Sequence, residues 1–316
     1  MRRPRTLIAA LIPGNHDKLP AHHVIYGCID IGSNTTRLLV AEPSDGRLRE
    51  VLQQRAFTRQ GKGLKRDDAI PPGKVEEVAE VVATQVRVAR ELEADDLRVL
   101  ATAAIRTAAN RDELVDAVRE RSGVDVHVLD EDEEARLAFL GATRMLTHPV
   151  EGEVAVVDVG GGSSEIAVGT VDEGVRWSAS FRIGSGLLAD SYLHSDPPAI
   201  EELTAVRAVV AGTFEGLALD SPALAVAVGG SATSLRRLVG AELNHETLER
   251  GVRVLATTPI GEVAQRFELE AERVRLLPAG ILILETVSDQ LGRALQIGKG
   301  GLREGAILER IAAAAA

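Results

Sequence analysis

The sequence is poor in several residues on which whole classes of function depend. Cys28 is the only cysteine among 316 residues, so no internal disulfide framework and no cysteine-based zinc site can form. Aromatic residues make up 3%, so the cores must be built from Val, Leu, Ile and Ala. Recognition of bases by stacking also lacks its platforms. No stretch approaches the roughly 18 apolar residues of a membrane-spanning helix. Positive charge is in deficit: 36 Lys and Arg stand against 47 Asp and Glu, a formal charge of −11. That balance argues against gripping nucleic acid or an anionic membrane by bulk electrostatics. A small anionic substrate stays open, because a few arginines and backbone amides can make a local positive pocket. The seven histidines are scattered apart from His22 and His23, and nothing has the H-E-x-x-H spacing of a helical zinc site.

What is present is the composition of a globular protein, 45% hydrophobic and 26% charged, in a chain long enough for two ordinary domains. Residues 1–23 stand apart. They start Arg-rich and hold a short apolar run, Leu7–Ile12, closed by Pro13 and Gly14. At about six residues the run is shorter than a signal-peptide core. A disordered leader is expected, or a start upstream of a true beginning near Val24, and the default location is the cytoplasm.

From Val24 onward the pattern alternates strands and helices. Strands are expected at Val24–Asp30, Arg37–Ala41 and Glu50–Thr58, with a turn over 43–50 and a Gly-rich loop at Gly61-Lys62-Gly63. Val75, Val78, Val82, Val86 and Ala89 have the spacing of one helix face. A short strand, Leu97–Ala101, precedes a helix capped by Asn110 with Glu113 at its third position; Gly123 ends it and Val124–Leu129 follows as a strand. A helix over Asp132–Leu146 leads to the strand Glu153–Asp158. Further strands are read near 175–183 and 223–228, and helices near 198–217, 231–239, 245–256 and 279–291. Leu302–Ala315 is the last helix, and its alanine tract carries no chemistry.

One pattern occurs twice, about one domain length apart. Asp30-Ile-Gly-Ser-Asn-Thr-Thr-Arg37 and Asp158-Val-Gly-Gly-Gly-Ser-Ser-Glu165 each place an Asp at the end of an apolar strand. A turn of glycines and hydroxyl residues follows, and then another strand. Glycines let backbone N–H groups approach a phosphate closely, and hydroxyls add donors. An Asp at a strand end can hold Mg²⁺, which prefers oxygen ligands. Two such turns facing each other would clamp neighbouring phosphates. Neither is a Walker loop, since no G-K-[ST] follows, nor a dinucleotide turn, since a strand follows the glycines where a helix is required. Two ordinary hairpins would need glycines as well, but would not need a strand-end Asp and a hydroxyl pair in both. By themselves the turns support a phosphate clamp that a kinase could use equally.

The two turns, together with Thr102-Ala-Ala-Ile-Arg106, Asn110, Glu133-Glu134-Ala135-Arg136-Leu137, Val228-Gly-Gly-Ser-Ala-Thr233, Leu277-Pro-Ala-Gly280 and Gly301-Leu-Arg-Glu-Gly305, resemble the exopolyphosphatase/guanosine pentaphosphate phosphatase (Ppx/GppA) family of the actin–hexokinase–Hsp70 superfold. The resemblance runs from about Tyr26 to Ile311 and is to the family's short form. It implies an α/β fold of two actin-like (ribonuclease H-like) lobes, each a mixed sheet flanked by helices, with an active-site cleft between them. Residues 24–131 would form lobe I and 132–301 lobe II, and the C-terminal helix 302–316 could return to lobe I.

The resemblance also implies roles. Glu134 would be the general base that activates water, and Asp158 and Glu165 would hold Mg²⁺ (or Mn²⁺) and orient that water, with Asp30 a further metal candidate. Gly160, Gly161, Gly162, Ser163 and Ser164 would bind phosphate from one lobe, and Gly32, Ser33, Asn34 and Thr35 from the other. Arg37 and Arg106 would neutralise phosphate charge; Arg273, in an R-x-x-x-x-P stretch, is a weaker candidate. The residue types suit the chemistry, since phosphoryl transfer depends on positioning and charge compensation. A carboxylate base works best with a raised pKa, and Asp130, Glu131, Asp132 and Glu133 are expected to raise that of Glu134 as like charges. Individually those four are read as a solvated helix start, and Cys28 as a small core residue.

The chain also departs from the family's pattern. Asp130-Glu131 replaces a usual Ser-Gly pair before the E-E-A-R-L run, and Gln60 stands where leucine is usual. The helical extension of long members is absent, which favours short chains. The expected activity is hydrolysis of the terminal phosphate of inorganic polyphosphate. Removal of the 5′-γ-phosphate of guanosine pentaphosphate is open beside it, as are a kinase of the same superfold and a non-catalytic polyphosphate or alarmone sensor. An actin-like filament protein is the weakest reading. A homodimer is compatible with either lobe.

Overall fold

The structure is a computed structural model that describes residues 24–64, 67–217 and 219–315. The expected leader, 1–23, lies outside these. Two mixed sheets are present, as the resemblance implied. The first is built from β1 (Ile25–Ile31), β2 (Thr36–Ser44), β3 (Arg47–Ala56), β4 (Ala94–Ala101) and β5 (Val126–Val128), in the order β3-β2-β1-β4-β5. Strands β1, β2 and β3 form an antiparallel meander, while β4 and β5 run parallel to β1. Three helices belong to this half: α1 (Pro72–Glu91), α2 (Ala103–Arg106) and α3 (Arg111–Ser122).

The second sheet repeats the plan. It contains β6 (Val154–Val159), β7 (Ser164–Thr170), β8 (Gly174–Phe181), β9 (Leu224–Val228), β10 (Glu242–Leu243) and β11 (Leu295–Ile297), in the order β10-β11-β9-β6-β7-β8. Again the first three form an antiparallel meander and the next, β9, returns parallel to the first. Its helices are α4 (Glu131–Arg144), α5 (Ser185–Tyr192), α6 (Ile200–Thr213), α7 (Gly229–Val239), α8 (His245–Thr257), α9 (Ile260–Phe267), α10 (Ala271–Val274) and α11 (Leu277–Leu291); α12 (Leu302–Ala315) closes the chain.

Alternation along β1 explains how the first sheet is covered on both faces. Ile29 and Ile31 enter one core with Val75, Val78, Val82, Val86 and Ala89, the stripe read from α1. Tyr26 and Cys28 enter another, closed by Leu302, Ala306 and Ile307 of α12 and by Leu137 of α4. The opposite side of α4 places Ala135, Phe139 and Ala142 on Val154, Val156 and Val226 of the second sheet. Helix α4 therefore packs on both sheets, and it crosses α12 with backbones in contact. A Cβ on Gly141 would stand 2.7 Å from the amide nitrogen of Gly305, so glycine is required there.

Some local expectations change. Asn110 does not cap α3 with its side chain: its Oδ1 accepts from Ile70 N (2.7 Å) and its Nδ2 donates to Ile70 O (3.0 Å). A non-local segment has taken the groups a cap would use. The turn over 43–50 contracts to Asp45-Gly46, both at positive φ, and α5 and α9 form where no helix was read. Asp130, part of the departure from the family pattern, makes the capping box of α4, accepting from Glu133 N at 2.8 Å while Glu133 Oε2 accepts from Asp130 N at 3.1 Å. No helix among the described residues is long and apolar enough to cross a membrane.

Candidate active site

The two repeated turns have the same construction. In the first, joining β1 to β2, Gly32 N donates to Thr35 O at 3.0 Å; in the second, joining β6 to β7, Gly160 N donates to Ser163 O at 3.0 Å. Each is braced by the segment that follows the third strand of its meander. Gly61 N reaches Ser33 O (2.8 Å) and Arg59 N reaches Asn34 O (3.1 Å); on the other side Ser185 N reaches Gly160 O (3.0 Å) and Leu187 N reaches Gly161 O (2.9 Å). Gln60, which stands where leucine is usual, is buried and donates to Gly32 O.

The turns meet tip to tip. A Cβ on Gly161 would lie 2.8 Å from Asn34 Cβ, and one on Gly162 would lie 2.9 Å from Ser33 Cβ. The glycines of the second turn thus make room for the side chains of the first, a reason beyond approach to a phosphate. Around the tips lies a cleft lined by Asp30, Arg37, Glu134, Asp158, Glu165 and Arg273. All but one of the residues singled out for this site line this cleft or its neighbour across the tips. The exception is Ser164, whose fully buried hydroxyl donates to Ile183 O at 2.6 Å. Its side chain points into its own lobe and offers nothing to a phosphate, which corrects that assignment.

Strand register explains the placement of the charged groups. Asp30 faces Arg37 across β1 and β2, and Asp158 faces Glu165 across β6 and β7. The Asp30 carboxylate accepts from Arg37 Nη2 at 2.7 Å. Asp158 has a carboxylate opposite instead. Burial pushes Asp158 up to about 6 and holds Glu165 well above the ordinary carboxylate range, with Glu134 and Asp158 adding to the effect on Glu165. Ser180 Oγ donates to Glu165 Oε1 at 2.9 Å and fixes it.

Glu134 sits in the first turn of α4 and is 8% exposed. Its pKa is pushed up to about 7, first by burial and then by Asp30 and Asp158, with Arg106 pulling the other way. The acidic run 130–133 is not the source that sequence suggested: Asp130, Glu131 and Asp132 are exposed, and Glu133 bonds Asp130 N and His127 Nε2. Arg106 is also reassigned. Its Nη1 donates to Glu134 Oε2 at 2.7 Å and to Leu129 O at 2.9 Å, so it holds the carboxylate in place and is not a free phosphate ligand. Arg273, the weaker candidate, gains weight. It is 5% exposed, its Nε has no hydrogen-bond partner, and it lies over the Phe57 ring at 5.7 Å. Burial, with Arg55 and Arg37 adding, lowers its pKa to about 9. Glu270 acts on it only at a distance, with no ion pair between them among the described residues, so this buried cation can accommodate an anion.

A divalent cation fits the donors at Asp158 and Glu165. Both offer only oxygen, both are buried, and neither carries a bonded cation, the environment a hard metal prefers. The third candidate ligand is different. Among the described residues no three His, Cys, Asp or Glu side chains converge as a metal cluster, and Asp30 is already held by Arg37. Two protein carboxylates, with water and phosphate oxygens filling the remaining positions, is the coordination common for Mg²⁺.

The profile of the Ppx/GppA phosphatase family matches residues 39–313. Exopolyphosphatase 1 of Mycobacterium tuberculosis H37Rv is 29% identical over 303 residues, covering 90% of this chain and 88% of that protein. The guanosine-5′-triphosphate,3′-diphosphate pyrophosphatase of Aeromonas hydrophila is 26% identical over 299 residues, covering 90% of this chain and 58% of its own length. Among solved structures, the Aquifex aeolicus Ppx/GppA family member superposes with a TM-score of 0.77 at 27% identity, covering 92% of this chain and 98% of that one. An exopolyphosphatase from Cytophaga hutchinsonii gives 0.81 at 20% identity over 92% of this chain and 98% of its own, a likeness of fold. The two sheets with their flanking helices are the two lobes of the actin-like fold.

Proposed function

Because this chain belongs to the Ppx/GppA phosphatase family, we propose that it is an exopolyphosphatase, hydrolysing the terminal phosphate of inorganic polyphosphate to orthophosphate. The observation that carries this reading is Glu134, a buried carboxylate poised near neutrality beside Asp158 and Glu165 and between two phosphate-clamping turns. A kinase needs a second substrate's hydroxyl at that point. A hydrolase needs only a base for water.

In this mechanism the turn amides, Ser33, Asn34 and Ser163 bind the terminal phosphate, while Arg37 and the unpaired Arg273 balance its charge. Asp158 and Glu165 would hold Mg²⁺, with Mn²⁺ a substitute, whose charge would compensate that of the phosphate oxygens. Ionised Glu134, oriented by Arg106, takes a proton from water as the water oxygen bonds to the terminal phosphorus. The bond from that phosphorus to the bridging oxygen breaks, and the shortened chain keeps the oxygen as its new end.

Guanosine pentaphosphate 5′-phosphohydrolysis is the second reading, and it rests on the Aeromonas relative. No aromatic ring lines the cleft or the cavities beside it among the described residues, which removes the stacking platform a guanine would use. Purified protein with Mg²⁺ is offered short polyphosphate, long polyphosphate, guanosine pentaphosphate and ATP, and orthophosphate release is measured. Polyphosphate should be turned over, with the rate rising through about pH 7 as Glu134 ionises. Glu134→Gln should lower kcat by about 10²–10⁴-fold while binding persists. Release from none of the four would reject the hydrolase and favour a sensor.

A further inference from the structure

Arg273 is a buried cation with little to hold it. It stands in the short α10 of the second lobe, with its Nε unpartnered and no ion pair among the described residues. The start of α7 presses on it: a Cβ on Gly230 would stand 2.7 Å from Arg273 Nη1. A helix N-terminus adds positive potential there and relieves nothing. What the guanidinium does have is an aromatic face, since its Cζ lies 5.7 Å from the centroid of the Phe57 ring. That is inside the ~6 Å reach of a cation–π contact, which strengthens where water is excluded. Arg55 lies over the same ring at 5.2 Å, but Arg55 is also paired with Glu270. Arg273 has no such pair.

Phe57 belongs to the other lobe, on a segment that the first turn and the start of β2 fix residue by residue. Thr58 Oγ1 lies 2.9 Å from Thr36 Oγ1, and Arg59 N donates to Asn34 O at 3.1 Å. Gln60 donates to Gly32 O, and Gly61 N donates to Ser33 O at 2.8 Å. Arg59 sits at a φ of 50°, a conformation that L side chains adopt rarely. Two ion pairs tie this segment and the end of β3 to the stretch that carries Arg273: Arg55 with Glu270, and Arg59 with Glu272. Both pairs are partly exposed, so they fix register more than they add stability. Phe57 is half-buried and lines neither the cleft nor the cavities beside it, whereas Arg273 lines the cleft. An effect of the ring on the chemistry therefore passes through the guanidinium.

We propose that Phe57 is a positioning residue: its ring, carried by the first lobe, holds the Arg273 guanidinium of the second lobe at the terminal phosphate, so that this charge is in place only when the two lobes meet. The proposal rests on the polyphosphate reading above, in which Arg273 balances the phosphate charge. A ring suits the task better than a carboxylate. An acid beside Arg273 would neutralise the cation and repel the phosphate, whereas a ring face steadies the cation and leaves its charge for the anion.

The test measures orthophosphate release from tripolyphosphate with Mg²⁺ for the full chain and for Phe57→Leu, Phe57→Tyr, Arg273→Gln and the double variant Phe57→Leu with Arg273→Gln. Folding of each is checked by its urea midpoint. Phe57→Leu should lower kcat/KM about three- to thirtyfold, the range of a cation–π contact. Phe57→Tyr keeps the ring and should lie near the unsubstituted chain. With Arg273→Gln already present, Phe57→Leu should cost nothing further, because the group it positions is gone. A second readout needs no turnover. The Nε–Hε NMR signal of Arg273, identified by its absence in Arg273→Gln, should carry a ring-current shift in the unsubstituted chain and in Phe57→Tyr. In Phe57→Leu it should move toward the other arginine signals. Equal losses from Phe57→Leu with and without Arg273 would overturn the proposal, since a packing role costs the same in both. So would an Arg273 signal that Phe57→Leu leaves unmoved. If the unsubstituted chain releases no orthophosphate, the polyphosphate reading fails, and the Arg273 signal still decides whether Phe57 holds the guanidinium.

Discussion

The two turns share a backbone and differ in one charge. At equivalent register positions the first pairs Asp30 with Arg37 and the second pairs Asp158 with Glu165. In the first, the cation beside the carboxylate closes an ion pair at 2.7 Å through Oδ2 and neutralises its charge, while Oδ1 is buried without a partner. In the second, two buried carboxylates repel each other and take up protons or a divalent ion. The tips differ in a complementary way, with Ser33 and Asn34 on one and Gly161 and Gly162 on the other, so that side chains fill the space the glycines leave. Of the two repeated hairpins one is thus neutralised by its own ion pair and the other presents two carboxylates with no bonded cation, and the cleft between them is of mixed sign.

The largest test of this contrast removes the charge that makes the second turn different. Glu165→Gln should lower kcat by about 10²–10³-fold, the scale of losing one preorganised electrostatic group, and should raise the Mg²⁺ concentration needed for half-maximal activity. Asp30→Asn should leave that Mg²⁺ requirement unchanged, because Arg37 already neutralises the Asp30 charge. Equal shifts in Mg²⁺ requirement for the two variants would show that the turns are not specialised in this way.

The contrast in charge was legible in sequence only as a list of residues. Both strand-end aspartates, the glycine turns and the apolar stripe of α1 are local patterns, and they stand where they were read. The partners are not local. Arg106 meets Glu134 because its Nη1 bridges Leu129 O and the Glu134 carboxylate across 28 residues of sequence, and the raised pKa of Glu134 comes from burial and from Asp30 and Asp158 on two other strands. Asn110 had the composition of a cap, and its destination, Ile70, lies in a preceding loop that no helix rule includes. Arg273 carried only a weak motif; that its side chain is buried with its Nε unpartnered is a property of the tertiary fold.

A second test concerns stability. Removing Arg37 leaves Asp30 buried and uncompensated, so Arg37→Gln should cost about 3 kcal/mol in urea unfolding, the low end for breaking a buried pair. Arg37→Gln with Asp30→Asn should recover most of it, because an amide has no charge to bury. In the other turn the balance has the opposite sign. Asp158→Asn removes a like-charge neighbour from Glu165 and should cost little or even stabilise the metal-free protein at neutral pH. If Asp158→Asn proved as destabilising as Arg37→Gln, the claim that the second turn is held in tension by its own carboxylates would be lost.

The smallest expected effect tests where the turns are the same. Thr36 and Ser164 occupy matching positions, and each directs its hydroxyl away from the cleft. Thr36 Oγ1 lies 2.9 Å from Thr58 Oγ1, and Ser164 Oγ donates to Ile183 O at 2.6 Å. Each bond ties a turn to the segment that follows the third strand of its own meander, and both hydroxyls are fully buried. Thr36→Ala and Ser164→Ala should each cost about 1 kcal/mol of stability, the net worth of one buried hydrogen bond, with KM for polyphosphate close to that of the unsubstituted chain. Ser163→Ala, one position earlier and facing the cleft, should raise KM at little cost in stability. A rise in KM for Ser164→Ala matching that for Ser163→Ala would return Ser164 to the phosphate site and remove the division between a position that faces the substrate and one that faces the lobe.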